Sequence, residues 1–470
     1  MYDPRVTTHA HTIQELGTWD AVETSARIRR GEVSRWEVAE AALGRAEARA
    51  ELASVVTLCA ERARARVEAT PRGGALSGVP TFIKDLAQLE GVPTTWGSRA
   101  AGEHVSKKSD PIVRRIEGLG LTILGKSAAP EFGITPTTEP AGRAPCTNPW
   151  NRAHSAGGSS GGAAVLVASG VVPIAHASDG GGSIRIPASA CGLVGHKPSR
   201  FMMDMDGSPL LPVNVAVDGV LSRTVRDTVA FFEAAEASGR ASRRAPPLGR
   251  VARSGRRLRM GVFTNSPLGR PVAAEPRDAA LRAGQLCASL GHQVEEIRAP
   301  FDGAALDDFL AYWGLLAWTQ IHTAPIMLTR RFDTRRVEAL TSGLARTFTR
   351  APRAALAATW RLRRFAAEYA KVFERFDVLV SPTLAELPPK LGWISTEAPF
   401  EAWFERIRTY VPFTPLQNAA GAPAISLPLG RAENGLPIGV QFAGPFGGDA
   451  TLLSLALELE EAAPWPRLAP

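Results

Sequence analysis

The sequence predicts an α/β fold formed by one large unit. The chain has 470 residues, of which 45% are hydrophobic, so it can bury a large core. Short apolar runs typical of strands alternate with helical patterns, which is the order found in α/β proteins. Length alone favours two or three domains, but three segments with complementary chemistry, described below, have to meet. We therefore predict a single domain over residues 1–470.

The predicted elements follow the hydrophobic periodicity along the chain. Amphipathic patterns predict helices at about 14–50 and 54–69. Later apolar runs predict strands, and helical patterns separate most of these runs. The predicted strands lie near residues 79–84, 121–125, 171–178, 259–264, 376–381, 424–429 and 437–443.

Two serines set in glycine-rich segments are the most informative feature of the chain. Ser159 lies within Gly157 to Gly162, and Ser183 lies 24 positions later within Asp179 to Pro187. A predicted short helix and buried strand separate them, so the fold can return the second serine beside the first. Glycine lets the backbone turn sharply and approach a ligand closely. The backbone N–H groups of Gly180, Gly181, Gly182 and Ser183 could therefore converge as an oxyanion hole, which favours acyl-transfer chemistry.

A serine nucleophile needs a base, and Lys84 is the best candidate. The chain has only seven lysines against 47 arginines, and Lys84 follows an apolar, strand-like run at 78–83. Burial disfavours the ammonium form, and the pKa of a lysine must fall by roughly 3 units, at a cost of about 4 kcal/mol, to give a base at neutral pH. For an isolated lysine, a side chain that reaches into water is the simpler interpretation.

These three segments together resemble the amidase signature family. GVPTFIKDL carries Lys84, GGSSGG carries Ser159 and DGGGSIRIPAS carries Ser183, in that order. NPWN, GLVGHKPS, LSRTVRD and GLPIGVQFAGP extend the resemblance over most of the chain. It implies a single mixed, twisted sheet covered by helices on both faces. It also implies Ser183 as nucleophile, Ser159 as a serine preceded by a cis peptide bond, Lys84 as base, and an acyl-enzyme intermediate.

The resemblance is closest to the branch that contains 6-aminohexanoate cyclic-dimer hydrolase and broad aryl or alkyl amidases. It implies a small-molecule substrate, an apolar, aryl or cyclic amide. Carbamates (urethanes) and esters present the same electrophilic carbonyl and are possible substrates. Candidate pocket residues are Phe132, Met202, Trp313, Trp318 and Ile184. Aromatic residues at helical spacing are more often core than pocket, so this pocket is an expectation only.

Four regions make up the predicted domain. Residues 1–70 form an N-terminal helical region, 71–230 the catalytic core, 240–259 an arginine-rich connector, and 260–470 the remainder of the sheet with substrate-pocket helices. The net charge of +8 permits nucleic-acid binding. However, no aromatic residues interleave with the connector's arginines, as a single-strand binder requires. We therefore predict a solvated connector and no nucleic-acid partner.

Other functions remain open at this point. One is an ammonia-producing, glutaminase-type amidotransferase subunit, and another is a catalytically silent binding protein on the same scaffold. Gly157-x-Ser159-x-Gly161 also matches the nucleophile elbow of α/β-hydrolase esterases, but 149–156 is a predicted loop where an elbow needs a strand. The spacing from Gly120 to Ser127 matches a phosphate-binding loop, yet its four intervening residues predict a strand.

The sequence predicts no metal and no cofactor. His9 and His11 form an H-x-H pair, but no second cluster with ligand spacing follows it. The four cysteines are scattered, as is typical of a reducing cytoplasm. There is no secretory pattern and no apolar run of about 18 residues. We expect a cytoplasmic monomer or homodimer without a membrane partner.

Overall fold

The structure, a computed structural model, describes residues 11–69, 74–102, 104–203, 212–239, 242–395 and 398–470. His9 of the H-x-H pair and residues 240–241, the start of the predicted connector, lie outside the described residues. Among the helices that are described, none combines the length and apolarity needed to cross a bilayer.

The described residues form eleven strands and fifteen α-helices. The strands are β1 Val55–Leu58, β2 Pro80–Lys84, β3 Thr122–Ser127, β4 Ile174–Asp179, β5 Val194–Lys197, β6 Val217–Ser222, β7 Arg259–Val262, β8 Gln293–Glu296, β9 Val378–Pro382, β10 Ala424–Arg431 and β11 Pro437–Ala443. The helices are α1 Ile13–Thr18, α2 Ala21–Arg29, α3 Arg35–Ala48, α4 Ala60–Ala69, α5 Pro111–Gly118, α6 Gly161–Ala168, α7 Arg185–Cys191, α8 Val225–Ala237, α9 Ala274–Ser289, α10 Ala304–Met327, α11 Ala339–Arg350, α12 Pro352–Val372, α13 Phe400–Tyr410, α14 Pro415–Ala420 and α15 Asp449–Ala462.

A large mixed sheet forms the centre of the fold. Its eight strands lie in the order β4-β6-β5-β10-β11-β9-β7-β8. β7 is parallel to β8 and β9, and the other neighbouring pairs are antiparallel. Helices cover both faces of this sheet. On one face Ile438 of β11 packs in one cluster with Ala279 of α9. On the other face the N–H of the next residue, Gly439, donates to Ser189 Oγ of α7 at 2.9 Å. The predicted α/β class, with a large mixed sheet flanked by helices, is confirmed.

A second, three-stranded sheet carries Lys84. β3 is central, with β2 parallel to it on one side and β1 antiparallel on the other. Lys84 is the last residue of β2, and every residue of that strand is buried. β2 packs against β4 of the large sheet, so the lysine and the glycine-rich segment after β4 meet where the two sheets touch.

The predicted N-terminal helices were only partly right. The helix predicted over 54–69 begins at Ala60, because the β-branched residues of 55–58 pair with β3 as a strand. The helix predicted over 14–50 is three helices. Two polar caps interrupt it: Asp20 accepts from the Glu23 N–H, and Ser34 forms a capping box with Glu37.

The arginine-rich connector lies on the surface between α8 and β7 and contains no helix or strand over the described residues 242–258. Several of its arginines pair with carboxylates of neighbouring elements. The ion pairs are Arg253 with Glu461 at 2.5 Å, Arg256 with Asp377 at 2.9 Å and Arg257 with Glu458 at 3.2 Å. These carboxylates offset much of the positive charge that the sequence concentrates in this segment.

Candidate active site

Lys84 is completely buried and lies against two serines. Its Nζ is 2.7 Å from Ser159 Oγ, 3.1 Å from Ser178 Oγ and 3.3 Å from the Ser178 carbonyl oxygen. Burial lowers the pKa of Lys84 to about 7, although the carboxylates of Asp179 and Asp218 oppose the shift. A substantial fraction of the amine is therefore uncharged at neutral pH and can accept a proton.

Ser159 lies immediately before α6, and the Gly158–Ser159 peptide bond is cis. Glycine is required before it because a Cβ on Gly158 would lie 2.6 Å from the Thr137 carbonyl oxygen. A Cβ on Gly133 would similarly lie 3.1 Å from Ser159 Oγ. The serine hydroxyl therefore lies between backbone segments that approach closely because they lack side chains.

Ser183 lies in the loop between β4 and α7 and lines the same cavity as Ser159 and Ser178. Among the hydrogen bonds of the described residues, none joins the hydroxyls of Ser183 and Ser159. The two predicted serines and the predicted lysine thus lie in one region, in which Lys84 contacts Ser159 directly and Ser183 faces the cavity.

The carboxylate of Asp179 holds the glycine-rich loop in shape. It accepts from the Gly182 N–H at 2.6 Å and from the Ile184 N–H at 3.1 Å. The N–H of Gly182, expected to contribute to an oxyanion hole, is therefore directed at Asp179 instead. Gly180, Gly181 and Ser183 remain on the cavity wall.

Arg185 is the buried partner of Asp179, and we did not predict its role from the sequence. Its guanidinium donates twice to the Asp179 carboxylate, each time at 3.0 Å. It also donates to side-chain oxygens of Gln417 at 3.0 Å, Gln441 at 2.7 Å and Asn418 at 2.6 Å. Burial alone would raise the pKa of Asp179, but the arginine outweighs it and holds the pKa well below its usual range. The loop that carries Ser183 is thereby fixed to β11 and α14.

A buried ion pair lies directly behind Lys84. Lys126 Nζ of β3 lies 2.8 Å from Asp85 Oδ1 and 2.9 Å from Thr94 Oγ1, and both ionised side chains are fully buried. The stretch with phosphate-loop spacing is thus strand β3, as predicted from its apolar residues, and its lysine is used internally. The pair anchors the residue that follows Lys84 and so helps to hold the end of β2 in place.

The nucleophile-elbow alternative lacks its structural context. Residues 149–158, all described, form loop and isolated bridges rather than the strand that an elbow needs before its serine. The residue hydrogen-bonded to the Ser159 hydroxyl is Lys84, whereas an elbow serine is paired with a histidine.

A cavity of about 430 Å³ opens at the serines. Of the predicted pocket residues, Phe132 and Trp313 line it. Met202 instead packs in one cluster with Met203 and Phe232 beside the connector, and Ile184 is fully buried in the core with residues of α6 and α7. Trp318 stacks on His322, with ring centroids 4.3 Å apart, and is not among the lining residues. These three side chains pack against other residues and therefore do not face the cavity.

The apolar wall of the cavity comes from two packed clusters. The first, with Leu268, Leu306 and Phe309, reaches the glycine-rich loop, since a Cβ on Gly181 would lie 3.2 Å from the Phe309 ring. The second contains Leu86, Phe132, Ile134 and Trp313 and lies beside Gly133 and hence Ser159. The described lining includes no carboxylate, and its single cation, Arg408, pairs with Asp307 at 2.9 Å. The described lining is therefore mainly apolar on both sides of the serines.

Comparison with known proteins gives consistent results. The model of the family described as Amidase matches residues 37–453. A Mycobacterium tuberculosis protein named as an amidase, AmiC, is 42% identical over 98% of this chain and 98% of its own length. A solved structure of 6-aminohexanoate cyclic dimer hydrolase complexed with substrate superposes with a TM-score of 0.87 at 30% identity, over 96% of this chain and 98% of that one. A bacterial aryl acylamidase of the amidase signature family superposes with a TM-score of 0.81 at 27% identity, over 95% and 96%.

Proposed function

The chain belongs to the amidase family of hydrolases that act on carbon–nitrogen bonds, and from that premise we propose that it cleaves secondary amides with apolar groups on both sides of the scissile bond. The reaction proceeds through an acyl-enzyme on Ser183, with Ser159 and Lys84 as the proton relay. The observation that carries the proposal is the 2.7 Å contact between the buried Lys84 amine and the Ser159 hydroxyl.

The hydrogen bonds of Lys84 suit a neutral amine acting as base. A neutral amine has two N–H donors and one lone pair. The Ser178 carbonyl can only accept, so it takes one N–H, and Ser178 Oγ takes the other. The lone pair is then left facing the Ser159 hydroxyl, which can donate its proton to the amine. Burial supports this arrangement because it lowers the pKa of Lys84 to about 7.

In the acylation step Lys84 takes the Ser159 proton, Ser159 takes the proton of Ser183, and Ser183 Oγ attacks the amide carbonyl carbon. We assign stabilisation of the developing oxyanion to the N–H groups of Gly180, Gly181 and Ser183, the residues of the predicted oxyanion hole that line the cavity. Collapse of the intermediate breaks the C–N bond, and the relay returns a proton to the leaving nitrogen. Water then attacks the acyl-enzyme by the same relay and releases the carboxylic acid and free Ser183.

The shape and polarity of the cavity support the substrate class. A primary amide would leave the leaving-group side of the cavity empty, whereas an anilide, an N-alkyl amide or a cyclic amide would fill both apolar clusters. Two structural neighbours carry names of this kind, a 6-aminohexanoate cyclic dimer hydrolase and an aryl acylamidase. Aryl carbamates and esters present the same carbonyl and fit the same cavity, so we include them as secondary substrates.

A glutaminase role receives no support from the lining. Glutamine carries an ammonium and a carboxylate at its distal end, and a site for it needs a free charge of each sign. Among the described lining residues the only ionised side chain is Arg408, which already pairs with Asp307 and Glu405.

The test is a hydrolysis panel with matched acyl groups. Benzanilide, benzamide, a cyclic diamide, an aryl carbamate, an aryl benzoate and glutamine are each assayed with wild type, Ser183→Ala and Ser169→Ala. Ser169 is the matched control because it is a buried serine at the far end of α6, where its hydroxyl donates to the Val165 carbonyl oxygen, and it does not line the cavity. We expect kcat/KM for benzanilide to exceed that for benzamide at least tenfold, with no turnover by Ser183→Ala. A preference for benzamide or glutamine would contradict the substrate class, and full activity of Ser183→Ala would contradict the mechanism.

A further inference from the structure

Strands β4 and β6 present three polar side chains to Lys84 from one face of the large sheet. His176 and Ser178 are two apart on β4 and so point to the same face, while Asp179 points to the opposite face and binds Arg185. Asp218 of β6 lies directly opposite Ser178 in the strand register. All four positions are described, and His176 and Asp218 are almost completely buried, 1% and 3% exposed.

His176 links the backbone of Lys84 to Asp218. The Lys84 N–H donates to His176 Nδ1 at 3.2 Å, and His176 Nε2 lies 3.1 Å from Asp218 Oδ1. Because Nδ1 accepts, Nε2 must carry the proton and donate it to the carboxylate. The imidazole is therefore held as one neutral tautomer between the lysine backbone and a buried negative charge.

We propose that His176 and Asp218 are positioning residues for the base: His176 fixes the backbone from which Lys84 extends, and Asp218 fixes the imidazole and supplies a buried charge that the lysine amine senses. The inference rests on the proposed function, because it matters only if Lys84 is the base. It concerns residues outside the relay itself, and neither His176 nor Asp218 lines the cavity.

The charge of Asp218 differs from the other charges near Lys84. Asp179 is matched by Arg185, and Asp85 on the other side is matched by Lys126. Among the described residues Asp218 has no lysine or arginine partner, and its hydrogen-bond partner is the neutral His176. Its field at Lys84 is thus weakly compensated, and together with that of Asp179 it opposes the effect of burial on the pKa of the amine. A further carboxylate in this region is Asp110 at the start of α5, and burial raises its pKa.

Asp218→Asn separates the charge from the hydrogen bond. The amide oxygen still accepts the His176 Nε2–H, but the negative charge is gone. The ammonium form of Lys84 then loses a favourable interaction, so the amine becomes neutral at lower pH. The measurement is the second-order rate constant for labelling of Ser183 by a fluorophosphonate between pH 5 and 9. We expect its half-maximal pH to move down by about one unit while the alkaline plateau falls less than about tenfold.

Asp449→Asn is the matched control. Asp449 is also a buried carboxylate bonded to a buried histidine, with His196 Nε2 at 3.0 Å, but it lies in α15 and is not among the charges that act on Lys84. Its substitution should lower the melting temperature and leave the half-maximal pH unchanged. An equal shift in both variants would mean that lost packing, rather than the Asp218 charge, moves the profile, and would overturn the proposal.

Two substitutions of His176 test the hydrogen bond to the Lys84 backbone. In His176→Asn an amide oxygen can replace Nδ1 as acceptor, whereas His176→Leu fills the space without an acceptor. We expect labelling to fall at least tenfold in the leucine variant and to stay within about threefold of wild type in the asparagine variant. Equal labelling of the two would contradict the positioning role.

The outcomes separate this inference from the proposed function. If wild type is not labelled at Ser183, or if Lys84→Ala is labelled at the wild-type rate, the proposed relay is wrong. If wild type is labelled, Lys84→Ala is not, and the pH midpoint of Asp218→Asn stays at the wild-type value, the relay stands and the role of Asp218 is wrong.

Discussion

Replacing Lys84 with methionine removes the proposed base, but it should also change the stability of the fold. The stability of the variant relative to wild type should rise as the pH falls toward neutrality. Methionine has a similar length, carries no charge and can occupy the buried site. The hydrogen bonds to Ser159 and Ser178 are lost at every pH, so they shift the stability by a constant. The part of the stability difference between variant and wild type that changes with pH therefore reports the protonation of Lys84 in the folded protein.

The magnitude follows from the pKa of Lys84, about 7 in the folded chain against an ordinary value of 10.5. Above pH 10.5 the amine is neutral in both states and contributes no pH dependence. Between pH 10.5 and about pH 7 the lysine is protonated in the unfolded chain but neutral in the folded chain. The free energy of unfolding of wild type therefore falls by about 1.4 kcal/mol for each unit that the pH drops. Below pH 7 the lysine is protonated in both the folded and the unfolded chain, so its effect on the free energy of unfolding no longer changes with pH. From pH 9.5 to pH 7 the change amounts to about 3 kcal/mol.

The assay is the melting temperature of wild type and Lys84→Met across this range. For a chain of 470 residues, the unfolding entropy is about 1 kcal/mol/K, so 3 kcal/mol corresponds to roughly 3 °C. The melting temperature of the variant minus that of wild type should therefore rise by roughly 3 °C from pH 9.5 to pH 7. Lys108→Met, at an exposed position, is the control and should show a constant difference. A constant difference for Lys84→Met as well would refute a depressed lysine pKa.

Three further substitutions test the site and its supports. Arg185→Lys should lower the free energy of unfolding by about 3–5 kcal/mol, because one ammonium cannot replace the arginine's five buried hydrogen bonds; chemical denaturation measures it. Gly182→Ala should abolish fluorophosphonate labelling, since φ is +130° and a Cβ would meet a threonine hydroxyl, whereas Gly118→Ala, with open space, should not. Trp313→Ala should lower kcat/KM for an anilide by about tenfold or more, whereas the exposed Trp360→Ala should not change it.

Each of these predictions has a contradicting result. Wild-type stability of Arg185→Lys would mean that the Asp179 carboxylate needs no guanidinium. Normal labelling of Gly182→Ala would mean that the loop relaxes without loss of function. An unchanged anilide rate in Trp313→Ala would place the substrate elsewhere in the cavity.

The parts of the site that lie close together in sequence could be predicted. Lys84, Ser159 and Ser183 each stand in a short segment whose glycines and apolar neighbours indicate a buried, closely approached backbone. The strands with continuous apolar runs, such as β2, β4 and β11, were also predicted correctly.

Features that depend on partners distant in sequence could not be predicted. β6 contains Asp218 and Gly219, which disfavour a strand in isolation, and it is buried because His176 satisfies the carboxylate. β8 is an edge strand with exposed glutamates and has no apolar alternation strong enough to mark it. Ile184 is adjacent to Ser183, but the start of α7 turns its side chain into the core. The support of Asp179 by Arg185 is visible only once α14 and β11 are placed around it.

The most direct test of the central claim is to trap the acyl-enzyme. An aryl carbamate is mixed with wild type, Ser183→Ala, Ser159→Ala and Lys84→Ala, and the quenched proteins are analysed by intact mass and peptide mapping. We predict one carbamoyl group on wild type, located on Ser183, with none on Ser183→Ala and formation slowed by at least about 10²-fold in the other two variants. A carbamoyl group on Ser159, or one that forms on Ser183 at the wild-type rate without Lys84, would contradict the relay.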